Sequence, residues 1–175
     1  MKHSILLIAG LLSSTGAFAP PIVTVTSPRS LPSVKMAEAS DLSEPEQMVY
    51  HLVEELHSCN FPFRVVVVGN GAILETTSRL GPQMKLNKSP KSGEFLITLA
   101  NEDQSFEFHM KPSEVSKVVL AEKATLPDAG PGMKILRFMN KQGGSMCSLI
   151  LGEKTEAGGA WFQGMISKYG QEIEL

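Results

Sequence analysis

What most constrains the fold of this chain is a change of period at Phe63. Before it, Met48, Val49, Leu52, Val53 and Leu56 recur at helical spacing. After it, apolar residues alternate with polar ones in short runs that end on turn residues, as far as Leu151. Val65 to Val68 is β-branched throughout, and Gly69-Asn70-Gly71 contains the Asn-Gly pair that favours a type I′ hairpin. Ala72 to Thr77 reads as the partner strand. Gly81-Pro82 turns the chain, Met84 to Asn87 reads as a short edge strand, and Ser89 to Gly93 as a loop. Phe95, Ile97 and Leu99 share one face of a strand, and Phe106, Phe108 and Met110 one face of the next. Ser105, Glu107 and His109 then point the opposite way. Lys111-Pro112 interrupts, Val115 to Glu122 resumes, and Thr125 to Gly132 is a long loop. Met133 to Met139 and Ser145 to Leu151 flank a turn at Lys141 to Gly144.

Helices bracket this β region. Ser43-Glu44-Pro45-Glu46 is a capping box with proline in the first turn, and Asn60 to Pro62 end the helix it opens. Glu153 to Gly159 reads as a polar connection. Ala160 to Tyr169 reads as a final amphipathic helix with Trp161, Phe162, Met165 and Ile166 inward and Gly170 as its stop. The expected class is α+β: an N-terminal helix, about eight antiparallel strands forming an open barrel or saddle, and a C-terminal helix.

The first 40 residues read as address rather than fold. Residues 1–17 have a basic start and an apolar run from Ile5 to Leu12, too short to cross a bilayer, and read as a signal peptide. Ala17-Phe18-Ala19-Pro20 resembles the AFAP motif of presequences that lead into the complex plastids of algae. Residues 18–40, almost free of acid and rich in Ser, Thr and Pro, then read as a transit peptide or disordered leader. The expected destination is the stroma of a complex plastid, the alternative plain secretion, with the domain occupying residues 41–175. The three basic residues before Glu38 mask the charge of the remainder, which holds 13 basic and 18 acidic residues, a net of −5. That balance argues against nucleic acid as a partner, since such binding rests on neutralising phosphates. No membrane span is expected in the mature protein.

Chemistry-bearing residues are few. Cys59 and Cys147 fit neither a metal motif nor a disulfide framework and are expected as free, partly buried thiols. His51 and His57 are six apart on one helix and do not share the face a metal pair needs. The Gly-Asn-Gly turn lacks the Lys-Ser/Thr pair and following helix of a phosphate cradle. The methionines, including Met110, Met133, Met139 and Met146, read as core filler. No nucleophile-base-acid set is evident, so an enzyme is not expected. His109 alone stands inside the β region, and by itself it reads as a solvated side chain on a polar strand face.

From about Val65 onward the chain resembles the haem-utilisation carrier family, the bacterial ChuX, HutX and HemS group. Asn70-Gly71-Ala72-Ile73-Leu74-Glu75 resembles the place where family members have a strand ending in an acidic or small turn. Phe106-Glu107-Phe108-His109-Met110-Lys111-Pro112 looks like the family's Phe-His-Gly-His-Leu-Arg-Pro pattern. Ile135 to Gly143, running on to Leu151-Gly152, resembles its Leu-Gln-Phe-Phe-Asp-x-x-Gly strand-turn-strand. The resemblance implies haem as cofactor, with His109 as iron ligand in a cleft against the sheet. It implies Lys111 and Arg137 as partners for the propionates and a homodimer as the assembly. Glu107 stands where the family's first histidine would be, a departure that implies a five-coordinate or weakly held iron, or a sixth ligand from elsewhere. Three functions follow as expectations: a plastid haem or tetrapyrrole carrier; a non-enzymatic assembly or interaction protein on the same scaffold, with a protein partner; and a haem-modifying enzyme, for which no acid or reductant site is visible.

Overall fold

The structure is a computed structural model that describes residues 37–124 and 132–175. The signal peptide, nearly all of the leader and most of the Thr125 to Gly132 loop lie outside the described residues. A 3₁₀ turn, Ala39–Asp41, precedes the first helix, α1, Glu44–Ser58. Its capping box forms as expected: the Ser43 amide donates to Glu46 Oε2 at 2.9 Å. Val49, Leu52, Val53 and Leu56 are its buried face, while Met48 lies at the exposed margin.

Among the described residues there are nine strands: β1 (Phe63–Val68), β2 (Ile73–Ser78), β3 (Gln83–Lys88), β4 (Phe95–Ala100), β5 (Glu107–Met110), β6 (Val115–Lys123), β7 (Met133–Asn140), β8 (Ser145–Leu151) and β9 (Glu172–Glu174). They form two antiparallel sheets, neither closed into a barrel: a large one in the order β2-β1-β8-β7-β6-β9 and a small one in the order β3-β4-β5. The open saddle is thus the architecture. Helix α2, Glu156–Tyr169, comes between β8 and β9.

Three expectations need correcting. First, α2 begins one turn earlier than its apolar residues imply, because Thr155 caps it, Oγ1 accepting from the Gly158 amide. Glu156 to Gly159, the second half of the stretch read as a polar connection, is its first turn. Second, the β1–β2 turn is not type I′: Gly71 takes φ 92° but Asn70 has no positive φ, and type I′ needs both. Third, a ninth strand escaped the reading. β9 pairs with β6 at the sheet edge, held by Lys117, which reaches Glu172 at 2.6 Å and Glu174 at 3.0 Å. Three residues are too few to carry a period.

One core serves both sheets. Phe63, Val65, Leu120, Leu136, Phe138, Cys147 and Leu149 from the large sheet meet Leu86, Ile97, Leu99 and Met110 from the small one. The same core takes Leu52 and Leu56 of α1 and Phe162 and Met165 of α2. Trp161 seals the α2 side edge-on against Phe61 and Phe63, at 5.9 and 5.8 Å between ring centroids. The helices and the small sheet therefore all bury their apolar sides against one face of the large sheet.

Candidate functional site: the groove beside strand β5

Strand β5 is an edge of the small sheet, and its alternation sets up the site. Met110 goes to the core, while Glu107 and His109 turn outward and remain half exposed. Antiparallel pairing sets His109 opposite Thr98 on β4, and same-face neighbours in that register are close enough to bond. Nδ1 of His109 lies 2.9 Å from Thr98 Oγ1, and Thr98 is itself buried. On the other side, Nε2 lies 3.3 Å from Glu107 Oε1.

The two contacts decide what the imidazole can do. When Nδ1–H donates to Thr98, Nε2 keeps its lone pair and faces outward, which is how a ligating histidine is usually oriented. In the other tautomer Nε2–H donates to Glu107, and the nitrogen is blocked. Glu107 thus competes with a metal for Nε2. Its carboxylate is half exposed, so swinging it aside costs little.

Next to this ring runs an open groove of about 380 Å³. Val67, Phe108, Met110, Met146 and Cys147 give it apolar walls, and Glu107, His109, Lys111 and Glu114 form its rim. The expectation of an imidazole facing the interior of a cleft is therefore corrected: His109 stands at the rim, because its strand is an edge and its neighbour Met110 takes the inward position. Burial pushes the Cys147 thiol up to about 12, so it is a packing group here and not a thiolate.

Of the sequence-derived candidates, His109, Glu107 and Lys111 come together. Lys111 Nζ donates to Glu94 Oε2 at 2.9 Å; that hydrogen bond raises the lysine pKa and lowers the carboxyl pKa. Arg137 does not join them. It lies on β7 between Leu136 and Phe138, which enter the core, so it projects from the opposite face of the large sheet. There its Nε donates to Ser148 Oγ at 3.1 Å. The resemblance grouped Arg137 with His109; in the structure the two residues stand on two different sheets. Thr98 was not found from the sequence. Its alternation in Phe95 to Ala100 marks the outward face, but the register with β5 is visible only in three dimensions.

Among the described residues no three His, Cys, Asp or Glu side chains gather as a metal site. Haem asks less of the protein, because the porphyrin already holds the iron and one imidazole, here that of His109, would add a protein ligand. A single oriented imidazole beside apolar walls meets that minimum. The groove is open, so the residues present would cover one face of such a group. Among the described residues no helix is long and apolar enough to cross a membrane.

No family model matches the chain, and no curated protein is similar to it in sequence. Solved structures are similar in fold. The haem-binding protein ChuX superposes with a TM-score of 0.55 at 16% identity, over 71% of this chain and 74% of ChuX. A protein of Agrobacterium tumefaciens gives 0.55 at 14% identity, over 74% of this chain and 75% of its own. One from Erwinia carotovora gives 0.54 at 16%, over 71% and 73%. The chain therefore shares the fold of ChuX.

Proposed function

We propose that this protein binds haem or a related tetrapyrrole non-covalently and carries it, without acting on it as an enzyme. The single observation behind this reading is the His109 imidazole, bonded at Nδ1 to the buried Thr98 and set on the rim of an apolar groove. The likeness in fold to ChuX supports it. In this reading Thr98 orients the ring by accepting from Nδ1–H, and His109 would offer Nε2 to the iron once Glu107 has rotated away from it. Val67, Phe108 and Met146 would give such a group an apolar surface to lie against. Lys111 can share its ammonium between Glu94 and a propionate. The bound haem would supply the colour and the iron; the chain supplies grip and orientation. One protein ligand on an open rim suits a cargo that is handed on better than a cofactor that stays.

The test is a haemin titration of the purified protein and of His109→Ala, followed at the Soret band. A one-to-one shift in the wild type that the substitution removes is the expected result. An unchanged band at micromolar haemin, or an identical shift in both proteins, refutes the reading. We place the carrier in a complex plastid on the strength of residues 1–40. A fluorescent protein fused after residue 40 should enter the plastid of an alga of that type, and Phe18→Ala should keep it out.

A second reading is a non-enzymatic interaction or assembly protein, and one observation favours it. Val68, Ile73 and Leu74, at the tip of the β1–β2 hairpin, are 55–66% exposed, an apolar projection with no role in the β5 groove. Failure of haemin binding, together with recovery of one stable partner that Leu74→Asp abolishes, is the outcome that reading requires.

A further inference from the structure

The face of the large sheet turned away from the core carries a site of its own. The alternation that buries Val65, Leu136, Phe138 and Leu149 turns Val66, Ile135, Arg137, Ser148 and Ile150 the other way. No described element covers that side, yet Ile135 is only 4% exposed there without belonging to the core. Curvature explains the shelter. A hollow of about 280 Å³ is lined by Glu75 of β2, Val66 and Val68 of β1, Ser148 and Ile150 of β8, Ile135 and Arg137 of β7, and Lys123 of β6. In a flat sheet β2 and β6 would stand about 19 Å apart, four strand spacings. One hollow touches both because the sheet curls toward this side. A neighbouring hollow of about 410 Å³ shares Arg64, Met133 and Ile150 and continues it past Gly152. Together they reach the size of an ordinary small-molecule site.

Its chemistry is an apolar floor under positive charge. Val66, Ile135, Ile150 and Met133 make the floor; Arg64, Lys123 and Arg137 stand around it, against Glu75. Glu75 lies 3.8 Å from Arg64. Among the described residues no carboxylate lies within 4 Å of Arg137, a part-buried residue in the middle of the floor whose Nε is held by Ser148. A charge sheltered on apolar ground without a counter-charge is costly, and an anion that brings its own apolar body removes that cost.

We propose that this hollow binds a carboxylate carried on an apolar body, with the carboxylate on the Nη groups of Arg137 and the body along Val66, Ile135 and Ile150. A second copy of the chain fits less well. A two-fold interface would set one concave surface against another and bring like charges together around Arg64 and Arg137. The proposal is independent of the His109 reading, since the two grooves lie on opposite faces of the large sheet.

Calorimetric titration of the full chain with laurate, below its micellar concentration, is the experiment. Expected are one saturable site for laurate and binding at least about tenfold weaker for dodecanol, because a charge-assisted pair is lost. Arg137→Gln, which keeps a donor for Ser148, should weaken laurate by about tenfold or more with an unchanged circular dichroism spectrum. Ile150→Asp should do the same through the floor, and His109→Ala should leave laurate binding intact. Equal affinities for laurate and dodecanol, or an Arg137→Gln protein that binds as well as wild type, overturn the proposal. So does a stable dimer in sedimentation that Ile150→Asp dissociates, which would give the face to a second copy. Haemin competing with laurate in the wild type would overturn the separateness of the two sites.

Discussion

Thr98 is the residue on which the His109 reading can be separated from mere surface chemistry. Its hydroxyl fixes the imidazole, while its position in the middle of β4 suits a β-branched side chain of either polarity. Thr98→Val should therefore change stability by no more than about 1 kcal/mol, the worth of one hydrogen bond whose other partner regains water. Haemin affinity should fall about tenfold, as for other supports behind a metal-bound histidine. Chemical denaturation and the Soret titration, run on the same variant, check both halves. The cysteines make a second residue-scale case. Burial raises both thiols, Cys147 far more than Cys59, whose Sγ–H donates to the Leu56 carbonyl at 3.2 Å. Iodoacetamide at pH 8 should label Cys59 slowly and Cys147 only when the fold opens, so that denaturant brings Cys147 labelling up with the unfolding curve. Rapid labelling of Cys147 in the native protein would contradict its buried position.

Elements are where the sequence was most legible, and the reasons are local. The capping box at Ser43, the apolar stripe of α1 and the alternation of β1, β4, β6, β7 and β8 each state their structure within a few residues. What could not be read is anything fixed by distant partners: the division into six and three strands, the register that faces His109 with Thr98, and β9. That Arg137 and His109 stand on different sheets is hidden for the same reason, since alternation gives a face but not which sheet that face belongs to. The contact between the two helices is another long-range feature. Glu55 on α1 accepts from Lys168 and, at 2.9 Å, from the Tyr169 hydroxyl of α2. The Lys168 hydrogen bond is the chief reason the Glu55 carboxyl sits below the ordinary 4.5. A carboxyl depressed in the folded state stabilises above its unfolded pKa, and that contribution is lost as pH falls through the folded value. Because Lys168 is well exposed, solvent screens the pair and the contribution is small. Glu55→Gln should thus lower stability slightly near neutrality and flatten the acid limb below pH 4.5 by the same small amount, so that the two proteins converge toward pH 3. Melting temperatures from pH 7 down to pH 3 in both proteins decide it.

At the scale of the molecule, the small sheet and the large one are joined by short links and a shared core, and that predicts how the protein comes apart. Gly81 marks the link between β2 and β3. Its φ is 70°, and a Cβ there would stand 2.2 Å from the Ala100 carbonyl oxygen on β4, a backbone atom that cannot step aside. Beside it Leu80 is fully buried although its φ is 66°. The strain at Leu80 is held in place by the packing of its side chain. Gly81→Ala should cost at least about 2 kcal/mol, combining a conformation L-residues avoid with a backbone collision. If the core is one unit, that loss must appear everywhere at once, although the substitution lies at the small sheet. Trp161 is the sole tryptophan and reports the far side, packed by α2 against Phe61 and Phe63. Its fluorescence and the far-ultraviolet dichroism should trace the same denaturation curve in the wild type, and both should shift by the same amount in Gly81→Ala. A dichroism change that precedes the fluorescence change in the variant would mean that the small sheet melts first. Ile97, Leu99 and Leu120 would then belong to two cores, and the grooves on either side of the large sheet to two bodies.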